Sequence, residues 1–129
     1  MEKDGIVFFR DHRIDFQRKL ARQKGLLPTT TDKKIESLCE NLASFLNLTG
    51  ESPALMHGDL WSGNYFPDSE GKPCIFDPAV YYGLREADLA MTELFGKLPQ
   101  RFYDAYQEAF PMNPGYKERK DLYNLYHLL

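Results

Sequence analysis

The chain has 129 residues, enough for one domain, and its 43% hydrophobic content supports a modest core. A formal net charge of −3 excludes general nucleic-acid affinity, and no apolar run approaches the length of a membrane span. Cys39 and Cys74 allow at most one bridge and read as free thiols. With no apolar stretch of a secretory signal in residues 1–5, a cytoplasmic protein is expected.

Residues 6–24 are predicted to form a helix, with Phe9, Phe16 and Leu20 on its apolar face and Gly25 as its stop. The basic cluster of Arg10, Arg13, Arg18, Lys19, Arg22 and Lys24 reads as a solvated face balanced by acids. After a connector at Leu26, Leu27 and Pro28, Thr31 or Asp32 can cap a second helix. Ile35, Leu38, Leu42, Phe45 and Leu46 form its apolar stripe. Residues 47–53 read as a loop, and 54–56 as a short strand.

The run His57-Gly58-Asp59-Leu60-Trp61-Ser62-Gly63-Asn64 follows. Asp59 and Asn64 have the spacing of the protein-kinase catalytic loop, His-x-Asp-Leu-x-x-x-Asn. In that chemistry the Asp takes or orients the proton of the attacking hydroxyl. The Asn gives its amide oxygen to Mg²⁺, and a further Asp ligates Mg²⁺ between the ATP phosphates. Mg²⁺ needs hard oxygen ligands and takes only one or two from protein. Tyr65 and Phe66, then Cys74 to Phe76, frame the turn at 67–71 and predict a β-hairpin. Residues 73–76 read as a buried strand that delivers Asp77 beside the loop.

Asp88 opens a helix that ends at Gly96. Pro99 suits the start of another, with Phe102, Tyr106, Ala109 and Phe110 on one face. A last helix begins near Pro114 and carries Leu122, Leu125, Tyr126 and Leu129. Tyr103, Tyr106, Tyr116, Tyr123 and Tyr126 read as packing residues with polar tips. The Gly-rich phosphate loop and the strand lysine of a kinase N-terminal lobe have no counterpart in this sequence.

Residues 55–66, 75–83 and 85–90 resemble the fructosamine/ketosamine kinase family, of the aminoglycoside phosphotransferase-like group. Trp61 narrows the match, and Leu84 departs from it, because the family usually has His there. The resemblance implies an α+β, mostly helical fold: a protein-kinase-like C-terminal lobe with a small β-hairpin sheet at the cleft. On this reading residues 1–129 are a partial lobe, without the ATP-clamping lobe and cut at the C-terminus, and inactive alone. The lobe face left exposed would be prone to association.

The implied activity is ATP-dependent phosphorylation of a sugar hydroxyl on a glycated amine, free or protein-bound, with ATP and Mg²⁺. Asp59 would be catalytic, Asn64 and Asp77 would hold the metal and nucleotide, and His57, Trp61 and Asp88 would support them. Two alternatives stand beside it. A non-catalytic lobe remnant would not need to keep Asp59, Asn64 and Asp77 together. A metal-dependent hydrolase would use His57 and the two Asp residues as ligands.

Overall fold

The computed structural model describes residues 4–48 and 50–129; the sequence readings that touch residues 1–3 and Thr49 lie outside them. Mostly helical, the chain runs α1 (Gly5–Phe9), a π-helical turn (Arg10–Ile14), α2 (Asp15–Gln23), α3 (Thr29–Glu40) and α4 (Leu42–Leu46). Then come β1 (Ala54–Met56), β2 (Tyr65–Pro67), β3 (Pro73–Ile75) and β4 (Tyr81–Gly83). Helices α5 (Glu86–Leu94), α6 (Gln100–Ala109) and α7 (Tyr116–Leu128) complete it. Among the described residues no helix is long and apolar enough to cross a membrane.

The predicted first helix is present, capped by Asp4, whose Oδ1 accepts from the N–H groups of Ile6 and Val7. Its apolar face differs from expectation. Phe9 is buried, but Phe16 is 57% and Leu20 36% exposed. The π turn explains the shift: it widens one turn by a residue, so the core face continues through Ile14, Arg18 and Ala21. Arg18 thereby leaves the solvated basic face and is buried, 2.9 Å from Asp15, 3.0 Å from Asp32 and 3.3 Å from Glu36. Asp32 is this partner rather than a helix cap, and α3 starts earlier, at Thr29.

The second helix breaks at Asn41 into α3 and α4; in its stripe Ile35, Leu42 and Leu46 are buried, Leu38 is half-buried, and Phe45 is 55% exposed. Phe110, expected on the packed face of α6, lies past the end of that helix and is exposed; Tyr103 is buried there instead. The tyrosines do pack with polar tips: Tyr103 Oη sits 2.9 Å from Thr92 Oγ1, and Tyr116 Oη donates to Glu93 at 2.9 Å. Cys39 and Cys74 are both free.

Two small antiparallel sheets carry the middle of the chain. β1 pairs with β4, Met56 facing Tyr81, and β2 pairs with β3 as the predicted hairpin. Asp68 Oδ1 closes the hairpin turn, accepting from the N–H groups of Glu70 and Lys72 at 2.8 Å. The 73–76 strand is not buried: Ile75 is 63% and Phe76 44% exposed. A two-stranded hairpin has no second layer to cover it, so apolar content there signals an open face rather than a core strand. The core lies on the other side, where Phe9, Ile35, Leu42, Met56, Leu84, Ala90 and Tyr123 meet.

α5 and α7 are joined through charge. Arg119 Nε and Nη2 reach Glu86 at 2.8 and 2.6 Å, and both side chains are buried. At the start of α5, Arg85 is buried too, bonded to Glu51 and to the carbonyls of Phe110 and Pro111.

Candidate active site

The 57–64 segment leaves β1 and has no regular structure of its own, so its shape depends on what its backbone groups find. The N–H groups of His57 and Gly58 donate to the two carboxylate oxygens of Asp88, at 2.7 and 2.9 Å. Asp88 thus ties the segment to α5. Burial pushes its carboxyl above the ordinary aspartate range, and these two N–H groups pull it back. Gly58 has φ +83°, and a Cβ there would fall onto the carbonyl oxygen of Ala79. Both the handedness and the close approach require glycine.

His57 stitches this segment to the one carrying Asp77. Its carbonyl accepts from Ala79 N at 2.8 Å, and its Nε2 lies 3.0 Å from the Phe76 carbonyl oxygen. Its Nδ1 accepts from Asp59 N at 3.3 Å, which places the ring proton on Nε2 as the donor to Phe76. Both ring nitrogens are therefore engaged, which removes the imidazole as a metal ligand. Among the described residues no group of three His, Cys, Asp or Glu side chains could hold a metal ion. The hydrolase alternative has no support in this geometry.

Asn64 is buried, and its Nδ2 donates to both the backbone oxygen and Oδ2 of Asp59, each at 2.9 Å. Those two acceptors set the amide orientation and turn Asn64 Oδ1 away from Asp59. Among the described residues no donor reaches that oxygen. The carbonyl of Asn64 accepts from Phe76 N at 3.1 Å, which brings the next residue, Asp77, alongside. Asp77 is exposed with φ +54°, a backbone state sparsely populated for a residue with a side chain. Asp59, Asn64 and Asp77 are thus held on two segments bonded to each other. A buried amide with a free oxygen beside an exposed carboxylate suits a hard cation such as Mg²⁺.

Trp61 packs edge-on to Phe95, ring centroids 6.1 Å apart, while Ser62 Oγ donates to the Phe95 carbonyl at 3.2 Å. A side chain on Gly63 would run into the indole. Leu84 is in the core, packed so closely on Gly5 that a Cβ there would lie 2.8 Å from Leu84 Cδ2.

Sequence reasoning gave no site role to four residues near the site: Arg13, read as part of a solvated basic face, Tyr126, read as packing, and Tyr81 and His127. They come from three distant stretches, and no local pattern shows that these stretches meet. His127 lies against Tyr126, ring centroids 3.8 Å apart. Burial lowers the imidazole below its ordinary value of 6.5; Asp59 pulls it up and Arg13 pushes it down. A depressed imidazole stays neutral in the fold, so the unfolded chain binds the extra proton just below the ordinary value. Stability is expected to fall as pH drops through that window and to return as pH rises. Urea unfolding at stepped pH measures the slope, and His127→Gln is expected to flatten it.

The fructosamine kinase family profile matches residues 1–129. The chain belongs to the fructosamine kinase family. It is 47% identical over 127 residues to a probable ketoamine kinase of Vibrio parahaemolyticus, spanning 98% of this chain and 42% of that protein. Against the chloroplastic protein-ribulosamine 3-kinase of Oryza sativa subsp. indica it is 42% identical, spanning 98% of this chain and 36% of that one. The crystal structure of a candidate fructosamine-3-kinase from Thermobifida fusca superposes with a TM-score of 0.87 at 35% identity, over 95% of this chain and 42% of that one. One from Haemophilus somnus gives 0.81 at 34%, over 96% and 40%. The chain therefore spans about two-fifths of the length of the relatives it matches. Its fold is that of the fructosamine kinases, which is protein-kinase-like, and it matches the expectation of a mostly helical α+β unit with small antiparallel sheets.

Proposed function

We propose that this family member carries the catalytic half of an ATP-dependent phosphotransferase acting on a sugar hydroxyl of a ketosamine, free or on a protein. The observation that carries the reading is the Asn64 amide. It donates twice to Asp59, at 2.9 Å, and keeps its oxygen for a cation beside Asp77. Asp59 keeps Oδ1 for the acceptor hydroxyl, orients it and takes its proton. Asn64 Oδ1 and the Asp77 carboxylate would hold Mg²⁺, which when bound with ATP neutralises the phosphate charge. Asp88 and His57 fix the backbone from which these groups project, and Trp61 flanks Asp59. Most of the catalytic effect is positioning and charge stabilisation.

Phe66, Ile75, Phe76 and Val80, exposed beside the site, support a face that the ATP-clamping part of the longer relatives would cover. On this proposal the chain is a partial C-terminal lobe of a cytoplasmic enzyme. The names of the relatives support a glycated amine as acceptor.

Calorimetry of ATP binding, with and without Mg²⁺, tests the metal half-site. The folded chain is expected to bind ATP only with Mg²⁺, and Asp77→Asn to remove that binding. Equal Mg²⁺-dependent binding by the Asn variant would take Asp77 out of the proposed role.

A further inference from the structure

The π turn in the first helix puts Arg13 in an unusual place. Its guanidinium carbon lies 4.2 Å from the centre of the Tyr81 ring, and 5.6 Å from those of Phe8 and Tyr126. Phe8 and Tyr81 are themselves stacked, centroids 5.3 Å apart. Arg13 Nε is buried with no hydrogen-bond partner, and among the described residues no carboxylate pairs with this arginine. Arg18, one turn along, is surrounded by acids instead. A half-buried cation facing rings rather than carboxylates is held by the ring faces, an attraction that grows when water is excluded.

Tyr81 is the residue through which this matters. It sits opposite Met56 in the β1–β4 pair, just before His57. Its ring lies on Gly58, where an added Cβ would come 3.2 Å from Tyr81 Cδ1. Gly58 N is one of the donors to Asp88, and Asp59 follows it. One chain of contacts thus runs from the π turn through Tyr81 to the backbone that carries Asp59.

We propose that Arg13 is a positioning residue for the 57–64 segment: its guanidinium presses the Tyr81 ring against Gly58 and so fixes the backbone from which Asp59 projects. The catalytic meaning of this rests on the phosphotransferase reading, but the contact can be tested without turnover. The π turn acquires a purpose, since a regular helix would carry residue 13 around to a different side.

The test is amide hydrogen exchange by NMR on the 129-residue chain and its Arg13→Met and Arg13→Lys variants. Methionine fills the same space without charge, and lysine keeps the charge. Arg13→Met is expected to speed exchange at His57 and Gly58 about tenfold, while amides in α5 and α7 keep their rates. Arg13→Lys is expected to restore most of the protection. Unchanged rates at His57 and Gly58 in a folded Met variant would overturn the proposal, and so would equal behaviour of Met and Lys, which means packing alone. Should Arg13→Met loosen the whole chain, the Lys variant decides. Wild-type protection at the two amides supports the cation–ring contact, and loss matching the Met variant overturns it. Failure of the wild type to bind Mg²⁺ and ATP leaves these rates untouched, so the two readings fall separately.

Discussion

In a protein that joins this lobe to an ATP-clamping lobe, Asp59→Asn is expected to lower phosphoryl transfer to a ketosamine by about 10²- to 10⁴-fold, the usual contribution of a positioned general base. The substitution is isosteric, and its side-chain oxygen can still accept from Asn64 Nδ2, as Asp59 Oδ2 does at 2.9 Å. What disappears is the negative oxygen proposed to face the acceptor hydroxyl. Folding and Mg²⁺-dependent ATP binding should therefore survive while kcat collapses. Transfer from γ-labelled ATP to a synthetic ketosamine, beside calorimetric ATP binding, separates the two. A variant that keeps wild-type kcat would show that Asp59 is not the base.

Arg119→Met is expected to cost about 3–5 kcal/mol of stability, measured by urea unfolding. The loss comes less from the attraction removed than from the charge left behind. Glu86 is 1% exposed, and Arg119 supplies both of its carboxylate contacts. Arg119 also satisfies the carbonyls of Pro114 and Asn113, so their acceptors lose a donor in the same step. Pairing the change with Glu86→Leu removes the stranded charge and should recover much of the loss, though not the part due to those carbonyls. Full additivity of the two single costs would argue against a coupled pair.

The residues of the candidate site were easier to pick out in the sequence than the architecture around them. Asp59 and Asn64 stand out by the spacing of a kinase catalytic loop and Asp77 by its place after a short strand, whereas Asp88 was singled out by the resemblance alone. The hydrogen bonds from His57 and Gly58 to Asp88 run where the resemblance implied. Regular periodicity predicted the first helix but misassigned Phe16 and Leu20, because a single π turn changes the register and leaves no signature in composition. The 73–76 strand was mistaken for core, because an apolar run looks the same whether it is covered by its own chain or left open. Arg18 and Arg13 looked alike as members of one basic cluster. Their burial, one among carboxylates and the other among rings, depends on segments far away in sequence.

Trp61 is the only tryptophan in the chain, two positions beyond Asp59 and 37% exposed against the edge of Phe95. Its ultraviolet emission therefore comes from a single place in the molecule, the rim of the candidate site. Anything that settles there should alter the colour or intensity of that light. The unlabelled protein thus carries its own optical gauge of occupancy, usable for screening ligands before any turnover is measured.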